Sequence, residues 1–185
     1  KDTKKATKEQ YLQNYVTARM QQVLGSKGKK LIGWEEIMEG ELAPGATVMS
    51  WKDGKLGAEA VRKGFDVVMT PYEHCYFDFA QSDSKDEPLG GWGTLPLKKV
   101  YEFNPTRGFT DEEAGHILGA QANLWTEYIP TSEHLEYMLL PRLQALSEAQ
   151  WCSNGAKDWQ RFRASLEIHL GILDLLGYNY RKPDR

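Results

Sequence analysis

The chain has 185 residues, a net charge of −3 and the apolar and charged fractions of an ordinary globular protein. This charge gives no attraction to nucleic acid or to an anionic membrane, and no apolar run approaches the roughly 20 residues of a membrane span. The length fits one domain, residues 1–185, and we expect no second domain. The six tryptophans are many for this length and indicate a ligand-binding surface.

Short apolar runs and helical patterns alternate along the chain. An amphipathic helix is predicted over 8–24, and further helices over 57–63, 110–118, from Ser132 to about Ala149, and over 159–176. Buried strands are predicted at 30–33, 47–51, 65–69 and 120–125. This order predicts an α/β fold with a parallel sheet and crossover helices, and four strands are too few to close a barrel.

The connection from Pro71 to about Arg107 shows no periodicity and is rich in Gly, Pro, Asp and Ser. Long loops of this kind in compact domains are usually functional or disordered. This one carries Tyr76, Asp78 and Trp92, and its aromatic residues favour a functional loop.

Aromatic residues stand at the ends of the predicted strands, several of them beside a carboxylate. They are Trp34, Trp51, Tyr72, with Tyr76 and Asp78 just beyond it, and Trp125 with Glu127. Ligands bind at such edges of parallel sheets. An aromatic face covers the C–H side of a pyranose and a carboxylate accepts from its hydroxyls, so the pattern predicts a sugar site.

Several residues of these segments also have an alternative interpretation. Trp34 and Trp51 could close the core, and Glu127 could form a salt bridge at the rim. Trp92, between glycines, is either a lid or outer sugar platform or a residue that only packs its loop. Gln121 and Asn123 point the same way along their strand and could form a hydrogen-bonded layer inside a barrel.

Metal and cofactor chemistry is not indicated. The four histidines form no cluster with ligand spacing, and we expect no metal and no cofactor. Cys75 and Cys152 fit no zinc or redox spacing, and we expect two free buried thiols. Glu36 and Glu127 could form a glycosidase pair of carboxylates on different strand ends.

Seven segments of the sequence carry the motifs of a known family in the right order. They are Leu31–Ile37, Met49–Trp51, Tyr76–Asp78, Gly91–Gly93, Gly119–Tyr128, Met138–Glu148 and Gly177–Arg181. Together they resemble β-N-acetylhexosaminidase of glycoside hydrolase family 20. The resemblance implies a TIM (β/α)8 barrel of which this chain is the C-terminal half, strands five to eight with their helices.

The resemblance also implies a reaction and roles for individual residues. Such enzymes are exo-acting and retaining, and the substrate's own acetamido oxygen attacks the anomeric carbon. By position, Tyr76 orients the acetamido group. The resemblance gives substrate-binding roles to Trp34, Trp51, Asp78, Trp92, Trp125 and Glu127. Trp34, Trp51 and Trp125 wall the pocket, Asp78 and Glu127 bind hydroxyls, and Trp92 stacks on the next sugar or aglycone.

One part of the family pattern does not match. The family's catalytic Asp-Glu pair has no counterpart here, because Asp86-Glu87 lies in a polar loop and Asp111-Glu112 in a capping box. We therefore expect a piece of a longer exo-β-N-acetylhexosaminidase, inactive alone, with Glu127 as a binder and Glu36 as a structural residue. The alternative is a non-catalytic carbohydrate-binding half-barrel scaffold.

The expected partners follow from this interpretation. They are a glycan with a terminal N-acetylhexosamine, and either the N-terminal half of the chain's own barrel or, in its absence, a second copy pairing the exposed sheet edges. The family favours a bacterial periplasmic or secreted location.

Overall fold

A computed structural model describes residues 7–40 and 42–183, and these residues include four strands and eight α-helices. The strands are β1 (Ile32–Trp34), β2 (Thr47–Ser50), β3 (Asp66–Met69) and β4 (Ile117–Ala120). The helices are α1 (Lys8–Ser26), α2 (Lys55–Arg62), α3 (Tyr72–Cys75), α4 (Leu97–Tyr101), α5 (Asp111–Ala114), α6 (Ser132–Leu139), α7 (Arg142–Trp151) and α8 (Trp159–Leu176). Short 3₁₀ helices cover Glu35–Glu39 and Asn154–Ala156.

The four strands form one parallel sheet in the order β1-β2-β3-β4. The register pairs Trp34 with Met49, Ser50 with Met69, and Met69 with Ala120, so the carboxyl ends of all four strands lie at one edge. The predicted α/β class with a parallel sheet is confirmed.

The structure divides into two compact units, and the first contains the whole sheet. It comprises the described residues up to Pro71 together with Thr106–Ala120. Val48, Val67 and Ala60 are buried in its core. A Cβ at Gly57 would lie 2.4 Å from the Ser50 hydroxyl oxygen, so only glycine lets α2 approach β2 this closely.

The second unit comprises Tyr72–Pro105 and the described residues from Gln121 onward. Its core includes Phe77, Leu95 and Met138, and α4 packs against α7. The Arg142 side chain is buried among them, where its guanidinium donates to the backbone carbonyls of Phe77, Phe79, Leu95 and Met138. Burial lowers the pKa of Arg142 to about 9.

The first three strands lie within two residues of their predicted bounds, but the fourth prediction is wrong. β4 covers Ile117–Ala120 instead of 120–125. The reason is that β3 ends at Met69, which pairs with Ala120, so the residues after Ala120 have no further β3 residue to pair with. Asn123 instead forms an isolated bridge with Tyr76.

The predicted long helix from Ser132 is two helices, α6 and α7. The apolar spacing runs on through both, but Pro141 lacks the N–H that an uninterrupted helix needs. The connection 71–107 was predicted without regular structure and contains α3 and α4. The predicted capping box of Thr110 and Glu113 is confirmed, although α5 ends at Ala114.

Helix α1 forms where its apolar spacing predicts it, and Thr7 and Gln10 form a capping box at its start. None of its residues is buried. The exposed apolar side chains are Tyr11, Leu12, Tyr15, Val16, Met20 and Val23. Across the described part of the chain, helices long and apolar enough to cross a bilayer are not found.

Candidate functional site

An aromatic cluster in the second unit brings together three of the predicted site residues. The ring centroids of Tyr76 and Trp125 lie 6.5 Å apart, and those of Tyr76 and Phe79 lie 5.7 Å apart. The Trp92 ring lies 4.6 Å from Phe79 and 5.1 Å from Tyr72. Trp92 is 73% exposed and Trp125 is 45% exposed, so both present ring surface to solvent.

Two backbone hydrogen bonds place Tyr76 in this cluster. The Asn123 N–H donates to the Cys75 carbonyl at 2.7 Å, and the Phe77 N–H donates to the Asn123 carbonyl at 2.7 Å. The Gln121 amide donates to the Asn123 side-chain oxygen at 2.9 Å, so these two amides hydrogen-bond to each other. The Tyr76 segment and the segment leading to Trp125 are therefore held side by side.

Asp78 is a buried carboxylate with unused hydrogen-bonding capacity. Its side chain is 7% exposed, and its Oδ1 atom has no hydrogen-bond partner among the described residues. Burial raises the pKa of Asp78, and the nearby charge of Glu127 adds to the rise, while the Trp125 backbone N–H and Arg142 oppose it. Burial removes the water that would hydrogen-bond to this oxygen, and a ligand hydroxyl can supply that hydrogen bond instead.

Glu127 lies at the exposed end of the same segment. Its negative charge adds to the rise in the pKa of Asp78, the other carboxylate that is predicted to bind hydroxyls. A carboxylate pair beside aromatic rings can accept hydrogen bonds from neighbouring hydroxyls of one sugar.

The glycines around Trp92 permit close packing in the second unit. A Cβ at Gly91 would lie 2.6 Å from Asp78 Oδ2, and one at Gly93 would lie 2.5 Å from the Phe79 ring. The Gly91 N–H donates to the Asp78 carbonyl at 2.7 Å. Neither glycine has a positive φ, so the Trp92 loop needs them for close approach and not for an unusual backbone conformation.

The other two predicted tryptophans belong to the first unit and are both half-buried. Trp34 ends β1 and Trp51 follows β2. A residue that the sequence reasoning passed over, Glu35, is buried there and accepts from the Ser50 hydroxyl at 3.1 Å and the Trp51 N–H at 3.1 Å. The sequence feature that could have pointed to Glu35 was the pair of glutamates, Glu35 and Glu36, directly after β1.

Arg142 is the second residue that the sequence reasoning passed over. Its guanidinium donates to the carbonyls of Phe77 and Phe79, on either side of Asp78, at 2.6 and 2.9 Å. The signal was a single arginine next to Pro141 inside an apolar helical pattern. Arg142 therefore fixes the backbone on both sides of a predicted site residue.

His74 and Cys75 lie in packed surroundings. His74 contacts the Lys99 carbonyl through Nδ1 at 2.8 Å and stacks on Phe103 at 5.1 Å. Both cysteines are free; Cys75 is buried as expected, but Cys152 is partly exposed and that part of the prediction is wrong. The described residues contain no group of three acidic, histidine or cysteine side chains placed to hold a metal ion.

Curated relatives of the chain carry a common name. It is 42% identical over 177 residues to a β-hexosaminidase of Porphyromonas gingivalis, covering 95% of this chain and 23% of that protein. It is 34% identical over 169 residues to a β-hexosaminidase of Akkermansia muciniphila, covering 88% of this chain and 33% of that protein. The chain thus spans about a quarter to a third of the length of these two relatives.

Solved structures share its fold. An exo-β-N-acetylglucosaminidase from Vibrio harveyi, in complex with N-acetylglucosamine, superposes with a TM-score of 0.91 at 34% identity, over 97% of this chain and 29% of that one. A β-N-acetylhexosaminidase from Streptomyces coelicolor gives a TM-score of 0.85 at 26% identity, over 98% and 38%. Residues 1–154 match the catalytic domain of glycosyl hydrolase family 20. The chain therefore belongs to glycosyl hydrolase family 20.

Proposed function

We propose that this chain is the C-terminal half of the catalytic domain of an exo-β-N-acetylhexosaminidase. In this proposal it supplies sugar-binding side chains for the release of terminal N-acetylglucosamine or N-acetylgalactosamine. The observation that carries the proposal is the buried Asp78, with an unused oxygen, beside the ring cluster of Tyr76 and Trp125. The Vibrio harveyi structure, solved with N-acetylglucosamine bound, supports the choice of sugar.

The half-barrel architecture is part of the same proposal. Sequential parallel strands with helical crossovers are what half of a (β/α)8 barrel requires, and a complete one needs about 250 residues. In the described residues β1 and β4 each pair with one neighbouring strand. We assign these strands as five to eight of the barrel, and the exposed apolar face of α1 is then covered by the preceding half.

The proposed chemistry is substrate-assisted hydrolysis with retention. The acetamido oxygen of the substrate attacks the anomeric carbon and the glycosidic oxygen leaves with a proton from an acid. Tyr76 would donate its phenolic hydrogen to the acetamido oxygen and so hold it for attack. Asp78 and Glu127 would accept from sugar hydroxyls, and Trp125 would cover the apolar face of the sugar.

In this proposal, a residue outside this chain donates the proton to the glycosidic oxygen. The Asp-Glu dipeptides of the chain have other surroundings, since Glu87 is ion-paired with Arg181 and Asp111-Glu112 opens α5. General acid catalysis contributes about 10²–10⁴-fold to such rates, so the chain alone should show negligible turnover. The roles that the resemblance gives Trp34, Trp51 and Trp92 stay predictions.

Two preparations test this function. The first is the chain alone, titrated with N-acetylglucosamine while tryptophan fluorescence is followed. We expect weak saturable binding that W125A abolishes and W151A keeps, because Trp151 is equally aromatic but 88% exposed on α7. The second is a chimera in which this chain replaces the aligned segment of the Porphyromonas gingivalis relative.

The chimera should hydrolyse a chromogenic N-acetylglucosaminide, and the chain alone should not. An inactive but folded chimera would contradict the proposed enzyme, and sugar binding by the chain would then favour the non-catalytic scaffold. Turnover by the chain alone at a rate near that of the chimera would show that the acid lies within these 185 residues.

A further inference from the structure

Two side chains in the first unit, Glu36 and Lys52, contact the indole of Trp51. β1 ends at Trp34, which pairs with Met49, and the 3₁₀ helix that follows it carries Glu36. The Trp51 indole N–H lies 3.0 and 3.3 Å from the two oxygens of the Glu36 carboxylate. Lys52 Nζ lies 2.8 Å from the same carboxylate. We call Glu36, Trp51 and Lys52 the indole clamp.

The clamp holds the ring from two sides. Glu36 accepts from the edge of the indole, and the Lys52 ammonium lies 5.1 Å from the ring centroid, within the range of a cation–π contact. Because Lys52 is itself ion-paired to Glu36, the carboxylate fixes both contacts at once. Glu35 fixes the backbone beneath, since its carboxylate accepts from the Trp51 N–H.

Glu36 acts as a hydrogen-bond acceptor and not as a proton donor. Burial alone raises its pKa, but the hydrogen bonds from Lys52 and Trp51 outweigh burial and the pKa of Glu36 is lowered. At neutral pH the group is therefore ionised and has no proton to give. This argues against Glu36 as a member of the pair of catalytic carboxylates considered with Glu127.

We infer that Glu36 is a positioning residue that fixes the rotamer of Trp51 for sugar binding. A half-buried indole without an acceptor can turn about its side-chain bonds, whereas an anchored one keeps one face available to a ligand. This inference rests on the proposed function, because it treats Trp51 as a wall of the sugar pocket. Its specific content is that Glu36 acts through the indole N–H.

The kinetic test uses the chimera with the variants E36A, E36Q and E39A. We expect E36A to raise KM about tenfold with little change in kcat, as suits loss of a charge-assisted hydrogen bond that orients a binding group. E36Q keeps an oxygen acceptor and should restore most of the affinity. Glu39 lies in the same 3₁₀ helix and is exposed, so E39A should match the parent.

A double-mutant cycle separates positioning from general stability. W51F removes the indole N–H and keeps an aromatic ring, so E36A should raise KM in the Trp51 background and have little effect in the W51F background. An equal effect of E36A in both backgrounds would overturn the inference, because Glu36 would then act independently of the indole.

A spectroscopic measurement on the unmutated chain does not depend on any variant folding. The Trp51 indole hydrogen should exchange with solvent more slowly than that of the exposed Trp151, as measured by NMR. Equal exchange rates would overturn the clamp. An inactive chimera with a slowly exchanging Trp51 hydrogen would reject the proposed enzyme and leave the indole contact established, so the two failures are distinguishable.

Discussion

Asp78 combines a charge, burial and an unpaired oxygen, and at the scale of one residue this combination has a measurable consequence. Its 7% exposure leaves little water to stabilise the ionised form, and burial raises its pKa. In the proposed function, the ionised form is the one that accepts hydrogen bonds from sugar hydroxyls with both oxygens. Ligand affinity should therefore depend on pH through this group.

The expected pH dependence has a definite sign. Because the pKa of Asp78 lies above the usual value of about 3.9, lowering the pH should protonate it, and weaken N-acetylglucosamine binding, at a higher pH than for an exposed aspartate. Titrations of the chain across the acidic range measure this. D78N should bind weakly throughout and lack the acid limb. An acid limb that persists unchanged in D78N would assign it to another group.

At the scale of elements, an ion pair connects the segment after α8 to the loop before Trp92. Arg181 Nε lies 2.7 Å from Glu87, with the two side chains 13% and 6% exposed. The Ser82 hydroxyl at 2.6 Å and the Tyr137 hydroxyl at 3.2 Å also donate to Glu87. This group joins the Trp92 loop, α6 and the C-terminal segment into one buried polar network.

Removal of Arg181 should leave the buried Glu87 carboxylate without its cation. We expect R181A to lower the free energy of unfolding by about 3 kcal/mol at neutral pH, measured by urea denaturation. The matched control is K182A, since Lys182 is exposed, and it should cost little. A loss for R181A no larger than that for K182A would show that the ion pair contributes nothing.

The same network predicts an acid sensitivity. Burial raises the pKa of Glu87, but hydrogen bonds from Ser82 and Arg181 prevail and lower it. The stabilisation is therefore present above the unfolded value of about 4.3 and is lost as the pH falls through the lower folded value. The difference in free energy of unfolding between the parent and E87Q should therefore disappear in that acidic range.

The fold could be predicted from sequence where local signals and packing agree. β2, β3 and α8 have clear periodicity and glycine or tryptophan boundaries, and α8 begins and ends where predicted. The end of β4 could not be predicted in this way, because it depends on where β3 ends. Tyr76, Trp92 and Trp125, which lie in one aromatic cluster, were predicted as site residues from residue type, whereas the burial of Arg142 depends on tertiary packing that has no local pattern.

At the scale of the whole molecule, the exposed apolar residues of α1 and of the outer strands predict association. Ile32 of β1 and Leu118 of β4 are both exposed, and these strands are the edges of the described sheet. Sheet edges and apolar helix faces of this kind are covered in stable proteins. When the chain is alone, a second copy of it can cover these sheet edges and this helix face.

We expect light scattering to show self-association at micromolar concentration. The double variant L12K/V16K places charges on the apolar face of α1 and should shift the chain toward monomer, whereas Q13K/Q22K on exposed polar positions should not. A clean monomer for the parent chain would contradict the prediction, and equal shifts for both double variants would mean that net charge, not the apolar face, controls association.

The ion pair between Glu87 and Arg181 joins residues 94 positions apart in the sequence. During synthesis on a ribosome, Glu87 emerges long before Arg181, so this ion pair cannot form until residue 181 has left the exit tunnel. The sheet of the first unit needs only residues up to Ala120. The two units should therefore fold in order, the strands early and the Trp92 loop last.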